Sequence, residues 1–194
     1  FVQMAYNLVD MIWIGILGSG AVAAVGAAGI YLWIADSCTS VAKMGGQIKV
    51  AHSIGEGDTE KARSFAAGAF QMGVTIILLC MAFVVFGHQL MVGVFQFTDP
   101  KIHGDAVAYL LITGTAGILF STINQVFTGI YTGIGDSKTP FVATTLGLVL
   151  NLIFDPVLIF GIGPIPAMGV IGAALATAGA QGVVTVSYTP LTLP

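Results

Sequence analysis

Six apolar runs, at about residues 1–18, 21–50, 62–87, 105–132, 139–161 and 169–186, follow one another with only short polar punctuation between them. A bilayer hydrocarbon core about 30 Å thick takes roughly 20 apolar residues of helix to cross. In that medium every backbone N–H and C=O must find a partner, which leaves only helices and closed barrels. The runs lack the strict alternation of barrel strands. They therefore predict an all-α, polytopic membrane protein built as a bundle of six transmembrane helices. Composition agrees: 56% of residues are hydrophobic and 8% are charged, where a soluble domain carries about 25% charged residues.

The net charge of −3 is scattered, with no basic stripe or polybasic arm. Nucleic acid is therefore not an expected partner, and the bilayer is. Cys38 and Cys80 lie inside apolar runs, where a thiol acts as a small hydrophobe, and no disulfide framework follows from two such residues. Phe1 stands in the middle of an apolar run, and "SYTPLTLP" at 187–194, with Pro190 and Pro194, breaks the helical pattern. The expectation is a fragment: a six-helix lobe over 1–186 with a truncated first helix, followed by a foreign tail over 187–194.

Orientation follows from the cations. Lys43, Lys49, Lys61, Arg63 and Lys138 flank the second and fourth connectors, while Lys101 alone flanks the others. The positive-inside rule then places the second and fourth connectors in the cytoplasm, so spans 1, 3 and 5 run outward and spans 2, 4 and 6 inward. Those two connectors share a pattern, "GEGDT" at 55–59 and "GIGDS" at 133–137. It reads as ordinary turn chemistry, glycine ending one helix and Asp58 or Asp136 capping the next, repeated within the chain.

An ionised acid at the centre of a membrane helix costs on the order of 2.5–3.5 kcal/mol on insertion scales, so it faces the bundle interior or a wet cavity. Asp10, Asp36 and Asp155 are such acids. At about 1.5 Å per residue, Asp10 lies roughly 12 Å below the outer end of span 1, Asp155 roughly 9 Å and Asn151 roughly 15 Å below that of span 5, and Thr177 roughly 13 Å down span 6. The four share one level. Asn151 and Asp155, at i and i+4, project from one face. Pro156 lacks an N–H and crowds the Leu152 carbonyl, freeing a backbone oxygen beside them. A small cage of oxygens in a partly dry place suits a proton or a hard monovalent cation such as sodium. Two acids sharing that pocket would take up and release the cation as it opens to one side. The plainer alternative is a helix kink at Asp155-Pro156 and an Asp10 that snorkels to headgroups.

Asp36 lies in the inner half of span 2, on one face with Ser40, Lys43 and Gln47. This stripe is expected to line an aqueous cleft, with an Asp36 to Lys43 pairing through neighbours and substrate contact left as alternatives. Asn124 reads as an interhelical hydrogen bond rather than an ion ligand. Tyr109 and Thr113 lie nearer the outer level, where a tyrosine is either a cleft residue or an interfacial anchor.

The stretches "YNLVDMIWIGILGSGAVAAVGAAG", "SIGEGDTEKA", "TGIGDSKTPF", "LGLVLNLIFDPVLIFGIG" and "MGVIGAALATAGAQ" together resemble the N-terminal half of the multidrug and toxic compound extrusion (MATE) family. The resemblance implies a multi-pass inner-membrane antiporter of twelve helices in two lobes. Such a protein exports organic cations, drugs or toxic amphiphiles in exchange for protons or sodium; it is not an enzyme and takes no cofactor. It also implies a cation site, proton or sodium, at Asp10, Asn151, Asp155 and Thr177, and a missing C-terminal lobe as partner. Asp36 and Lys43 stand outside the family pattern. Three competitors remain. A lipid-linked oligosaccharide flippase of the same superfamily would need more cations along its cleft than Lys43. An intramembrane aspartyl protease is raised by "GIGD" at 133–136, although Asp136 falls in a connector. A purely structural subunit would ignore the loss of Asp155.

Overall fold

Backbone hydrogen bonding decides where each apolar run stops being helix. In the computed structural model, which describes residues 2–161 and 166–192, the runs are α1 (Val2–Ile16), α2 (Ser19–Gly55), α3 (Thr59–Gly93), α4 (Pro100–Ile112), α5 (Ile118–Gly133), α6 (Lys138–Phe160) and α7 (Gly169–Thr192). One π-helical turn, Thr113–Gly117, joins α4 to α5, so these two form the fourth crossing and the bundle has six. Among the described residues five crossings are long and apolar enough to span a bilayer. Residues 162–165 of the expected connector at 161–169 lie outside the described residues, as do Phe1 and the last two positions.

The helices overrun the apolar runs. α2 continues to Gly55 and α3 to Gly93, so the long third connector expected from Gly87 onward shrinks to the residues between Gly93 and Pro100. The expected break at the tail is also absent: α7 passes through Ser187 and Tyr188 to Thr192. Tyr188 is buried, stacked on Phe127 at 5.5 Å and Tyr131 at 5.8 Å between centroids. Its hydroxyl lies 3.3 Å from that of Thr128. That aromatic seat holds the helix where composition alone predicts a stop.

The two glycine-aspartate connectors have one geometry. Asp58 N–H donates to Ser53 O at 3.0 Å and Asp136 N–H to Tyr131 O at 2.9 Å, the six-residue closure of a Schellman turn. Gly57 and Gly135 take φ of 78° and 90°, a region glycine enters without a Cβ penalty. Asp58 then accepts from Lys61 N at 2.9 Å, and Asp136 Oδ1 from Lys138 N at 2.9 Å and Thr139 N at 3.1 Å. The capping expected of both acids is in place, on exposed turns.

Close backbone approach sets the packing. A Cβ on Gly129 would lie 2.6 Å from Lys43 O, and one on Gly133 2.8 Å from Gln47 O, so α5 lies against α2 with both running the same way. One on Gly46 would meet Ala69 and one on Gly73 would meet Ala42, which sets α3 antiparallel to α2. Small residues let membrane helices approach where hydrophobicity gives no drive to associate. The largest core cluster gathers Ile14, Val92, Tyr109, Leu110 and Ile159 toward one end. Phe86, Leu90 and Trp33, by contrast, are 89, 77 and 74% exposed, a surface that only lipid or another apolar partner solvates.

Candidate functional site: a buried acid pocket beside a cavity

α6 carries its polar pair on a buried face. Asn151 and Asp155 are both 0% exposed, and Asn151 Nδ2 donates to Asp155 Oδ1 at 3.1 Å. Pro156 lies within the helix and has no N–H to return to Leu152 O. α1 packs alongside α6 in the same sense, its Trp13 ring edge-on to Phe160 at 6.0 Å. This brings the Asp10 carboxyl within hydrogen-bonding reach of Asp155. An ionised carboxylate can only accept, so a bond between the two requires a proton on one of them.

α7 supplies the fourth residue through its register. A Cβ on Gly172 would run into the Leu158 carbonyl, and one on Gly147 would lie 2.7 Å from Val184. The two antiparallel helices are therefore aligned so that Thr177 stands level with Ile153 and Phe154, between Asn151 and Asp155. Asp10 Oδ1, Asn151 Oδ1, Asp155 Oδ2 and Thr177 Oγ1 are all buried with no hydrogen-bond partner. Trp13 Nε1 and Thr122 Oγ1 share that condition. Buried polar atoms are ordinarily paired, so four orphaned oxygens from three helices at one level are a departure from the norm. They match the donor chemistry that a hard monovalent cation, or a proton, requires.

A cavity of about 710 Å³ lies beside this pocket, lined by Asp36, Lys43, Tyr109, Thr113, Asn124 and Thr177 among others. All five expected cleft residues reach it. Asp10, Asn151 and Asp155 do not line it; Thr177 is the one predicted cation-site residue that does. Tyr109 is 5% exposed and belongs to the bundle interior, not to a headgroup belt. The polar stripe expected on α2 divides: Asp36 and Lys43 line the cavity, but Ser40 and Gln47 do not. Ser40 Oγ donates back to Ser37 O at 2.7 Å, and the Gln47 carbonyl faces Gly133.

Three partners were not legible in the sequence reading. Gln125 Nε2 donates to Asp36 Oδ1 across α5 and α2. Asn124 Nδ2 donates to Gln181 Oε1 at 2.8 Å and to Gln181 O at 3.1 Å, and Thr185 Oγ1 donates to Asn124 Oδ1 at 2.8 Å. Asn124 is thus the interhelical tie expected of it, between α5 and α7. An amide side chain inside an apolar run is the signal that marks Gln125 and Gln181. The π-helical turn at Thr113–Gly117 borders the same cavity; such turns recur at functional positions.

Comparison with known proteins agrees with this architecture. The family profile described as MatE matches residues 1–157. The chain is 29% identical over 175 residues to a protein of Thermotoga maritima described as a probable multidrug resistance protein NorM, covering 90% of this chain and 37% of that protein. It is 30% identical over 177 residues to a protein of Shewanella oneidensis described as an FAD transporter, covering 90% and 38%. A solved outward-facing conformation of a multidrug resistance MATE family transporter superposes with a TM-score of 0.84 at 28% identity, covering 99% of this chain and 42% of that one. An inward-facing conformation gives 0.83 at 26%, covering 98% and 42%. The chain spans about two-fifths of the length of the relatives it matches. By its profile match, its helical lobe and these relatives, this chain belongs to the MatE family of multi-pass membrane transporters.

Proposed function

We propose that this chain is the ion-coupling lobe of a longer secondary antiporter of the plasma (inner) membrane. The antiporter exports organic cations, drugs or toxic amphiphiles in exchange for protons or sodium. The observation that carries the reading is the set of buried, unpartnered oxygens of Asp10, Asn151, Asp155 and Thr177. Buried orphan acceptors are costly; a bound cation offers several of these oxygens a ligand at once, and a shared proton bridges the two carboxyls. The reading is also supported by relatives described as multidrug resistance proteins.

The geometry supports a route for coupling. When the pocket holds its cation, the Asp10 and Asp155 carboxyls can remain together and α1 stays closed on α6. When it releases the cation, two like charges face each other in a poorly solvated place and repel. Thr177, which lines the cavity near the level of the acids, is the residue through which loading of the pocket would be felt in the cavity. The flippase alternative finds little support, because Lys43 is the only lysine or arginine among the cavity-lining residues. The aspartyl protease alternative places a nucleophile-activating acid at Asp136, which here is a half-buried helix cap in a connector.

The test is efflux by the full-length protein in vesicles under separately imposed proton and sodium gradients. Export driven by one gradient and collapsed by its ionophore is the expected result. Export unaffected by either gradient would overturn the proposal.

A further inference from the structure

We propose that the cavity beside the acid pocket recognises amphiphilic zwitterions, with an ammonium group held at Asp36 and an anionic group at Lys43. This deepens the exporter reading and rests on it for transport, though recognition itself is a separate property of the cavity.

α2 is unbroken from Ser19 to Gly55. Asp36 and Lys43, seven residues apart, therefore lie on one face, two turns or roughly 10 Å apart along the axis. Both line the cavity, whose volume of about 710 Å³ falls within the roughly 300–1,000 Å³ of small-molecule sites. In a medium of low dielectric an acid and a base so near each other would ordinarily close into an ion pair. They do not. Asp36 Oδ1 takes the amide of Gln125, which satisfies a lone pair without cancelling the charge, and Lys43 makes no ion pair among the described residues. The neighbouring amides cannot close the gap either, since Asn124 and Gln181 are spent on each other and on Thr185.

Two opposite charges thus face one cavity at a spacing set by a rigid helix. The lining is mixed: Asn124, Gln125 and Thr128 are polar, while Leu32, Ile118 and Val184 offer apolar surface to an aromatic or aliphatic body. A simple organic cation would satisfy Asp36 but sit in the field of the Lys43 ammonium, and a simple anion would meet the reverse conflict. A ligand with both charges at about the same separation meets neither.

The experiment measures equilibrium binding to the full-length protein in detergent of three probes with one aromatic body. The first carries an ammonium and a carboxylate about 10 Å apart, the second is its methyl ester, and the third its N-acetyl derivative. The zwitterion should bind roughly tenfold or more tighter than either, the yield of one charge-assisted contact. Lys43→Gln should lower zwitterion binding to the level of the ester, and Asp36→Asn to that of the N-acetyl compound, while Lys43→Arg keeps the preference. Equal affinity of the unaltered protein for all three probes would overturn the proposal, whether or not a variant folds; so would variants that weaken all three alike. Zwitterion preference in a protein whose export ignores both ion gradients would sink only the exporter reading. Gradient-driven export without that preference would sink only this one.

Discussion

Asn151 Nδ2 donates to Asp155 Oδ1 at 3.1 Å across one turn of α6, and the bond leaves Asn151 Oδ1 and Asp155 Oδ2 buried without a partner. The amide thereby fixes one side of the carboxyl and frees the other. Asp10, on the neighbouring helix, meets that carboxyl from α1. The pair on α6 is rigid, and α1 brings the acid that completes the pocket.

Asp155→Asn and Asp10→Asn each replace a group that can bind a proton or a cation with one that cannot carry charge. The amide is nearly isosteric, so insertion and folding should survive. Ion-driven efflux by the full-length protein should fall to the background of empty vesicles. Normal gradient-driven efflux in both variants would remove the basis of the assignment.

Thr177→Val and Thr122→Val are chemically the same change at two buried hydroxyls without partners. Removing an unpaired buried polar atom should leave stability unchanged or raise it by up to about 1 kcal/mol, read as the melting temperature in detergent. Only Thr177→Val should also weaken the apparent affinity for the coupling ion, by roughly tenfold. Equal ion affinity in the two variants would place Thr177 outside the site.

Gly129→Ala puts a methyl 2.6 Å from Lys43 O, where backbone on both sides cannot yield. A loss of about 1–3 kcal/mol is expected from overpacking. Gly26→Ala, on the same bundle with nothing within 4 Å, should instead gain up to about 1 kcal/mol from helix propensity. Thermal unfolding of the two variants separates close approach from propensity.

Asp136 caps the helix after the fourth crossing, and the Thr139 hydroxyl and backbone N–H hold its carboxyl below the ordinary value of 3.8. A carboxyl depressed in the folded state adds stability above the unfolded value, and that stability is lost as pH falls through the folded one. The loss therefore falls in the acid range, from about pH 4 downward. Asp136→Asn should show a flatter melting temperature there than the unaltered protein, and a lower one at neutral pH. Superimposable pH profiles would count against the cap.

How much of this was legible varies with the kind of force involved. Asp10, Asn151 and Asp155 could be set at one level by counting residues, because helical rise is constant and an acid in an apolar run has few places to go. The helix end at Gly93 was not legible. Apolar composition reports the membrane boundary, while backbone hydrogen bonds continue into the polar turns beyond it. The stop expected at Ser187 failed for a related reason: Tyr188 gains a stacked aromatic seat on Phe127 and Tyr131 that no local pattern announces. Gln125 as the partner of Asp36 lies 89 positions away in the chain, beyond the reach of any spacing rule.

Sequence alone determined that the chain crosses a bilayer as six helices and that its buried acids must face inward. Both follow from the free energy of placing charge and unpaired backbone in hydrocarbon, which depends on residue type and not on neighbours. The tertiary structure decided which polar atoms are paired and which are left over. That selection is made by interhelical register, set at Gly129 and Gly172, where backbones touch, and at Gly147, where the Val184 side chain closes on the glycine. Register gathers a list of oxygens at one depth, and it places the cavity beside Asp36 and Lys43, whose spacing the single helix α2 fixes.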